Sequence, residues 1–369
     1  MKLPSSVFLL ACLLLTRSAR ADDNDDGFIS LFNGKDLTGW VNVNCAPSTW
    51  TVRDNMIICT GIPTGVLHTT KQYENFILEA DWMHLKTGGN SGIFVWSGAL
   101  PICGQPFTKA VECQVLDGNH GDVFAIQGAT FVPDRPHPKG WMRCLPTESR
   151  NHPAGQWNHY RIECQHGRVQ LAVNGKVVAG GSKTTPRKGY IVLESEGSDI
   201  YFKNIRVKEL PGSNVPDADV AETDRGFKSL YTGVDLTGWK VEGGQEAHWT
   251  AKDWNLDCDG KVEGEKKNLV SEKSYSDFEL IIDWKTPARP APQQVPIILG
   301  GTIPAAKITK PPGQWNRAII TIEGAKTKIA VNDQPPVDGH DIAGNQTPII
   351  LLHRPEGIQF ANLYVRPLK

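Results

Sequence analysis

From Phe76 to Trp82 the chain alternates: Phe76, Leu78, Ala80 and Trp82 fall on one side, Ile77, Glu79 and Asp81 on the other. A period of two is the mark of a half-buried strand. The same rhythm fills HYRIECQHGRVQLAVNGKVVAG (159–180), where Asn174-Gly175 predicts a tight hairpin turn. GYIVLESEGSDIYFKNIRVKEL (189–210) supplies two more strands around Gly197. No amphipathic helical window of useful length occurs beyond the apolar N-terminus. The pattern predicts an all-β chain.

The pattern also repeats. SLFNGKDLTGW (30–40) returns as SLYTGVDLTGW (229–239), and YENFILEADW (73–82) as YSDFELIIDW (275–284). GQWN at 155–158 matches 313–316, AVNG at 172–175 matches AVND at 330–333, and YFKNIRV at 201–207 matches QFANLYV at 359–365. The offset between copies therefore grows from 199 to 202 and then drops to 158, so the second copy lacks 44 residues between the counterparts of Trp82 and Gly155. Two tandem jelly-roll β-sandwiches are expected, at 27–209 and 227–369, joined by the Pro-, Gly- and Asp-containing linker 210–226.

Composition narrows the class. A chain of 369 residues has room for two domains, and 36 glycines, 25 prolines and 11 tryptophans suit short strands and turns with aromatics for packing or sugar stacking. Net charge is −1 and no basic tract occurs, which argues against nucleic acid as partner. The N-terminus, with Lys2, the run VFLLACLLL and ARA ending at Ala21, reads as an export signal over 1–21, too short to span a bilayer. A periplasmic or extracellular location without a membrane span follows. Cys12 falls within that run, and the seven cysteines after it are an odd number with no C-x-x-C spacing, so a thiolate zinc site is disfavoured. Cys59 and Cys258 occupy equivalent strand positions. Cys103 and Cys144 flank the extra segment of copy one and are a candidate staple.

LFNGKDLTGW, GGNSGIFVW, ECQVLD, GQWNHYRI, VNGKVV and LESEGSDIYFKNIRV together resemble the 3-keto-disaccharide hydrolase domain family. All motifs occur in order over 28–209, and only the scaffold motifs over 227–369. The resemblance implies a concanavalin A-like lectin/glucanase fold in both copies, with the second degenerate. It also implies an exported carbohydrate-active hydrolase acting on 3-keto-glycosides or 3-keto-disaccharides. A ketone at C3 makes the C2 hydrogen acidic; its removal gives an enolate, the C1 substituent leaves, and water then adds. Such a site needs a base near C2, a proton donor near the glycosidic oxygen, and a positive or hydrogen-bonding group at the C3 oxygen.

Copy one alone carries the chemistry-bearing segments, while Glu194 and Glu196 are replaced by Leu352 and Arg354 in copy two. Alternation places Glu112 and Gln114 on one face of ECQVLD, and Glu194 shares a face with Glu196. The turn after Asp117 holds His120 and Asp122. The candidates are Glu112 or His120 as base and Glu194 or Glu196 as acid or metal ligand. Asn90, Gln114 or a divalent metal ion would steady the enolate, and Trp96, Trp141 or Phe94 would stack on a sugar. Asp117 and Arg143 are further candidates for binding an oligosaccharide or glycoside. Trp96 departs from the family pattern, in which arginine is expected after SGIF.

Other readings stay open. Outward Glu and Gln on a strand are commonly just solvated, a histidine in a glycine-rich turn is commonly a turn residue, and Asp117–Asp122 has oxygens suited to calcium but no standard loop spacing. A non-catalytic lectin-like protein is the main alternative, favoured if Glu112 and Glu194 lie far apart. A conventional glucanase ranks behind it, because the E-x-D-x-x-E strand is absent.

Overall fold

The computed structural model describes residues 26–261, 264, 268–287, 294–301, 310–342 and 346–368; the export signal expected over 1–21, with Cys12, lies outside them. Strands dominate, and the helical content of the described residues is three 3-10 turns. None of their helices is long and apolar enough to cross a membrane.

The first sandwich packs a nine-stranded sheet against a seven-stranded one. The larger sheet is centred on Phe76–His84, with Asn158–Gln165 on one side and Ile200–Glu209 on the other. Its alternating side chains Phe76, Leu78, Ala80 and Trp82 all point into the core. The Asn174-Gly175 pair turns the hairpin between Arg168–Val173 and Lys176–Thr185 with both residues at positive φ (46° and 86°), the conformation this dipeptide favours. The smaller sheet runs Arg143–Cys144, Val123–Ile126, Ala110–Gln114, Gly92–Ser97, Tyr190–Ser195, Gly65–Thr69, Trp40–Val43.

Among the described residues the second sandwich repeats the large sheet, with eight strands, and has four in the small one. Ile297–Ile298 stands where copy one has the strands between Gly92 and Cys144, as the shorter sequence requires. The duplicated opening segment is framework in both. Trp40 Nε1–H donates to Leu31 O at 2.8 Å and Trp239 Nε1–H to Leu230 O at 2.6 Å. Asp36 and Asp235 accept the amides of Thr38 and Thr237. Cys59 and Cys258 are buried opposite Trp50 and Trp249.

All seven described cysteines are free thiols, so the expected Cys103–Cys144 staple is corrected. Cys144 is buried and directs its thiol toward Leu145 O, whereas Cys103 is half-buried near Asp283 and Arg317 of the second sandwich.

The two sandwiches dock face to face. The outer face of the small sheet in copy one offers Val66, Phe94, Ala110 and Val192, and the outer face of the large sheet in copy two meets it with Ile281 and Tyr364. Beside this apolar seam Asp283, with 0% exposure, accepts from Arg317 Nε (2.6 Å) and Nη2 (2.8 Å). It also accepts from the Gly104 amide (2.8 Å) and Asn362 Nδ2 (2.7 Å). A bidentate, fully hydrogen-bonded pair of this kind offsets the cost of burying charge. Phe94, expected to stack on a sugar, is thus covered by the second sandwich.

Candidate active site

Beside the apolar seam the same sheet face turns polar. Strand pairing places Glu112 beside Phe94 on one side and Phe124 on the other, and Phe124 beside Arg143. One row further along, Glu194 continues the Leu193–Ile93 pairing opposite Gly92, which itself pairs with Gln114. Glu196 follows the end of its strand and receives a hydrogen bond from Asn90 Nδ2.

Gly92 explains how two carboxyl groups fit here. A Cβ at this position would lie 2.8 Å from Glu194 Oε2 and 2.9 Å from Glu112 Oε1. The two acids therefore lean over the same bare α-carbon from neighbouring strands. Glu112 and Glu194 are 7% and 1% exposed, and Glu196 is half-buried. Burial, followed by the charge of Glu196, pushes the Glu112 carboxyl up to about 8. Burial and then the charges of Glu112 and Glu196 push Glu194 well above the ordinary carboxylate range. Glu196 is also raised, by burial and by Asp253 of the second sandwich, while the Asn90 amide works the other way. Carboxyl groups that cannot all ionise together divide into proton donors and an acceptor.

Arg143 flanks the acids. It is paired with buried Asp122 and stacks over the Phe124 ring, 4.6 Å from its centroid. Four buried atoms around the corner have no hydrogen-bond partner: Glu194 Oε2, Asn90 Oδ1, Asp122 Oδ1 and Arg143 Nε. Buried polar atoms are rarely left so, and a cluster of them is suited to a polar ligand.

The remaining candidates fall elsewhere. Gln114 lies in the corner, half-buried, with its Oε1 accepting the Val115 amide at 2.9 Å. Asp117 braces the preceding loop by accepting the Gly88 amide at 2.8 Å, so it positions Asn90. His120 stacks on Trp82 (4.7 Å, 24°), a core residue of the large sheet, and burial pushes its imidazole down to about 4, helped by His84. It lies on the core side of the turn, away from the carboxyl cluster, and its place as an alternative base is corrected.

Trp96 is corrected as well. Its exposure is 0% and its indole N–H donates to Glu74 O at 2.7 Å. Simple alternation from outward Phe94 would have kept Trp96 outward. Instead the strand bulges: Phe94 and Ser97 face Val192 and Tyr190, an extra residue is accommodated, and Trp96 takes φ 53° and turns into the core beside Val95. Phe94 is buried in the seam between the sandwiches, edge-on to Phe107. Trp141 is exposed, with its ring stacked on His137 at 4.4 Å.

The Asp117–Asp122 turn does not gather cation ligands, since Asp117 holds a backbone amide and Asp122 holds Arg143. Among the described residues no three His, Cys, Asp or Glu side chains are arranged to hold a metal ion. The sequence reading passed over Gly92 and Phe124. Gly92 was visible as a glycine inside an otherwise strand-like run, a common sign of close approach.

Comparison with known proteins gives one family and three similar proteins. The model of the family described as 3-keto-alpha-glucoside-1,2-lyase-like domain matches residues 27–208 and 226–297. A 3-keto-disaccharide hydrolase of Bacteroides thetaiotaomicron is 28% identical over 234 residues, spanning 50% of this chain and 79% of that protein. Among solved structures, a putative glycosyl hydrolase from Parabacteroides distasonis is similar at 24% identity and TM-score 0.40, over 50% of this chain and 94% of its own. A carbohydrate-binding module, CBM66 of Bacillus subtilis, is similar at 12% identity and TM-score 0.38, over 49% and 100%.

Proposed function

Because the chain belongs to the 3-keto-alpha-glucoside-1,2-lyase-like domain family, we propose that its first sandwich is a hydrolase of 3-keto-glycosides that works by elimination and hydration. The observation that carries this reading is the convergence of Glu112, Glu194 and Glu196 at one corner of the sheet, among buried polar atoms that lack partners.

Glu196 is the base. It is the most exposed of the three and holds the Asn90 amide, so it keeps a negative charge more readily than its neighbours. It removes the proton from C2 of the 3-keto sugar, and the C–H electron pair moves into an enolate. Arg143, with Nε free, faces the developing charge on the C3 oxygen. Glu112, protonated below about 8, gives its proton to the glycosidic oxygen as the C1–O bond breaks. Water then adds its oxygen to C1; the proton held on Glu196 returns to C2, and the second water proton restores Glu112. Glu194 keeps a buried neutral carboxyl beside the reacting pair and offers Oε2 to a substrate hydroxyl.

The second sandwich lacks every one of these groups, with Leu352 and Arg354 in place of Glu194 and Glu196, and serves as scaffold and wall. The apolar N-terminus, read as an export signal over 1–21, supports a reaction outside the cytoplasm.

Incubation with a 3-keto-disaccharide and with its unoxidised parent tests the mechanism. Release of monosaccharides from the keto substrate alone is expected. Equal cleavage of both, or of neither, would remove it, and so would full activity in Glu112→Gln.

A further inference from the structure

The carboxyl corner is built by the first sandwich, yet one charge facing it comes from the second. We infer that Asp253, at the tip of the hairpin joining Trp249–Lys252 to Asn255–Cys258, is a positioning residue that fixes the place and the charge environment of Glu196. The inference rests on the reading of Glu196 as the base.

Two contacts carry Asp253 across the boundary. The Thr64 amide donates to Oδ1 at 2.5 Å, and the Thr64 hydroxyl donates to Oδ2 at 2.8 Å. The loop bearing Thr64 is held on its other side by the strand end that carries the acids. Ser195, buried between Glu194 and Glu196, donates its hydroxyl to Pro63 O at 2.8 Å, and the Gly197 amide donates to Gly61 O at 2.7 Å. Packing leaves no slack in this path. A Cβ on Gly61 would come within 2.1 Å of Ser198 N, and one on Gly233 within 2.4 Å of Pro63. Hydrogen bonds from Thr64 to Asp253 and from Ser195 to Pro63, joined by the Pro63–Thr64 and Ser195–Glu196 peptide bonds, thus form one line from the second sandwich to the backbone of Glu196.

The charge acts alongside the geometry. Glu196 is faced by Glu112 from another strand of the sheet, by Glu194 two residues back on the strand ending at Ser195, by the Asn90 amide from the loop before Gly92, and by the Asp253 carboxylate from the second sandwich. Arg143 favours ionised Glu112, whereas Asp253 disfavours ionised Glu196 and so makes it a stronger base once ionised. A site otherwise confined to one copy is therefore completed by the other.

Asp253→Asn separates charge from geometry. The amide oxygen still accepts from the Thr64 amide, and its NH2 donates to the Thr64 hydroxyl, so only the charge is lost. Titration of the Glu196 carboxyl carbon by 13C NMR, assigned with Glu196→Gln, needs no turnover. The midpoint is expected to fall by about half to one pH unit in Asp253→Asn. On a 3-keto-disaccharide, the acid limb of kcat/KM should move down with it and the plateau should fall several-fold. Asp253→Ala should in addition raise KM. An unchanged Glu196 midpoint in folded Asp253→Asn overturns the inference. Absence of turnover in the parent protein with a shifted midpoint overturns the proposed function and leaves the coupling between the sandwiches standing.

Discussion

Gly92→Ala separates the arrangement of the acids from the integrity of the fold. The new methyl would stand 2.8 Å from Glu194 Oε2, 2.9 Å from Glu112 Oε1 and 2.9 Å from Phe94 Cε1. Unstrained contacts of this kind are about 3.5 Å, so the two carboxyl groups must retreat by roughly 0.5–1 Å. Both are ends of flexible side chains, and the backbone at Gly92 does not need positive φ, so the fold survives. Overpacking costs about 1–3 kcal/mol, part of which is offset by the lower chain entropy of alanine in the unfolded state. A fall in Tm of about 2–4 °C is expected. Misplacing reacting groups by about 1 Å costs on the order of a hundredfold in rate. Activity should therefore drop about a hundredfold while the melt moves little. Gly98→Ala is the control, since its methyl would meet nothing closer than 3.8 Å. Monosaccharide release from a 3-keto-disaccharide, read beside thermal denaturation, makes the comparison. If folded Gly92→Ala keeps activity within about twofold of the parent, the acids do not work from above this α-carbon.

Three further outcomes are expected. Glu112 titrates near 8 when folded and near 4.5 when unfolded, so the folded state holds the extra proton between these values and stability falls as pH rises through that window. Glu112→Gln should leave Tm nearly unchanged at pH 4 and raise it above pH 8; a rise independent of pH would contradict the burial argument. Asp283→Ala leaves the largely covered Arg317 without its carboxylate, with only the Pro101 carbonyl still accepting from it, and should cost about 3 kcal/mol, splitting the calorimetric transition as the second sandwich undocks. A single transition at the parental temperature would count against that interface. Trp96→Phe should lower Tm while leaving KM within about twofold, because the indole contacts the core and Glu74 O; a large rise in KM with no change in Tm would return it to the substrate.

The architecture was readable because it rests on local rules. Alternation at 76–82, the Asn174-Gly175 turn and the repeated tryptophan segment each state their structure within a few residues. The grouping of Glu112, Glu194 and Glu196 was also accessible, since their strand faces follow from parity. Trp96 misled because one bulge reverses parity, and nothing in GIFVW announces it. His120 misled because a turn sequence does not say which side of the sheet its ring will pack against. Gly92 and Asp253 matter through what stands opposite them, and the Asp253 contact spans 189 positions of the chain. The docking of the sandwiches was hidden for the same reason, since Ile281 and Tyr364 read as ordinary strand residues until their partners are known.

The seam between the sandwiches also limits what can enter. Here Phe94, Ala110 and Val192 lie under the second sandwich, and Thr64 with Asp253 closes the flank beside Glu196. On the proposed reading, a sugar ring cannot lie across Phe94, Ala110 and Val192, so this stretch of sheet beside the acids is closed to a long chain running through the site.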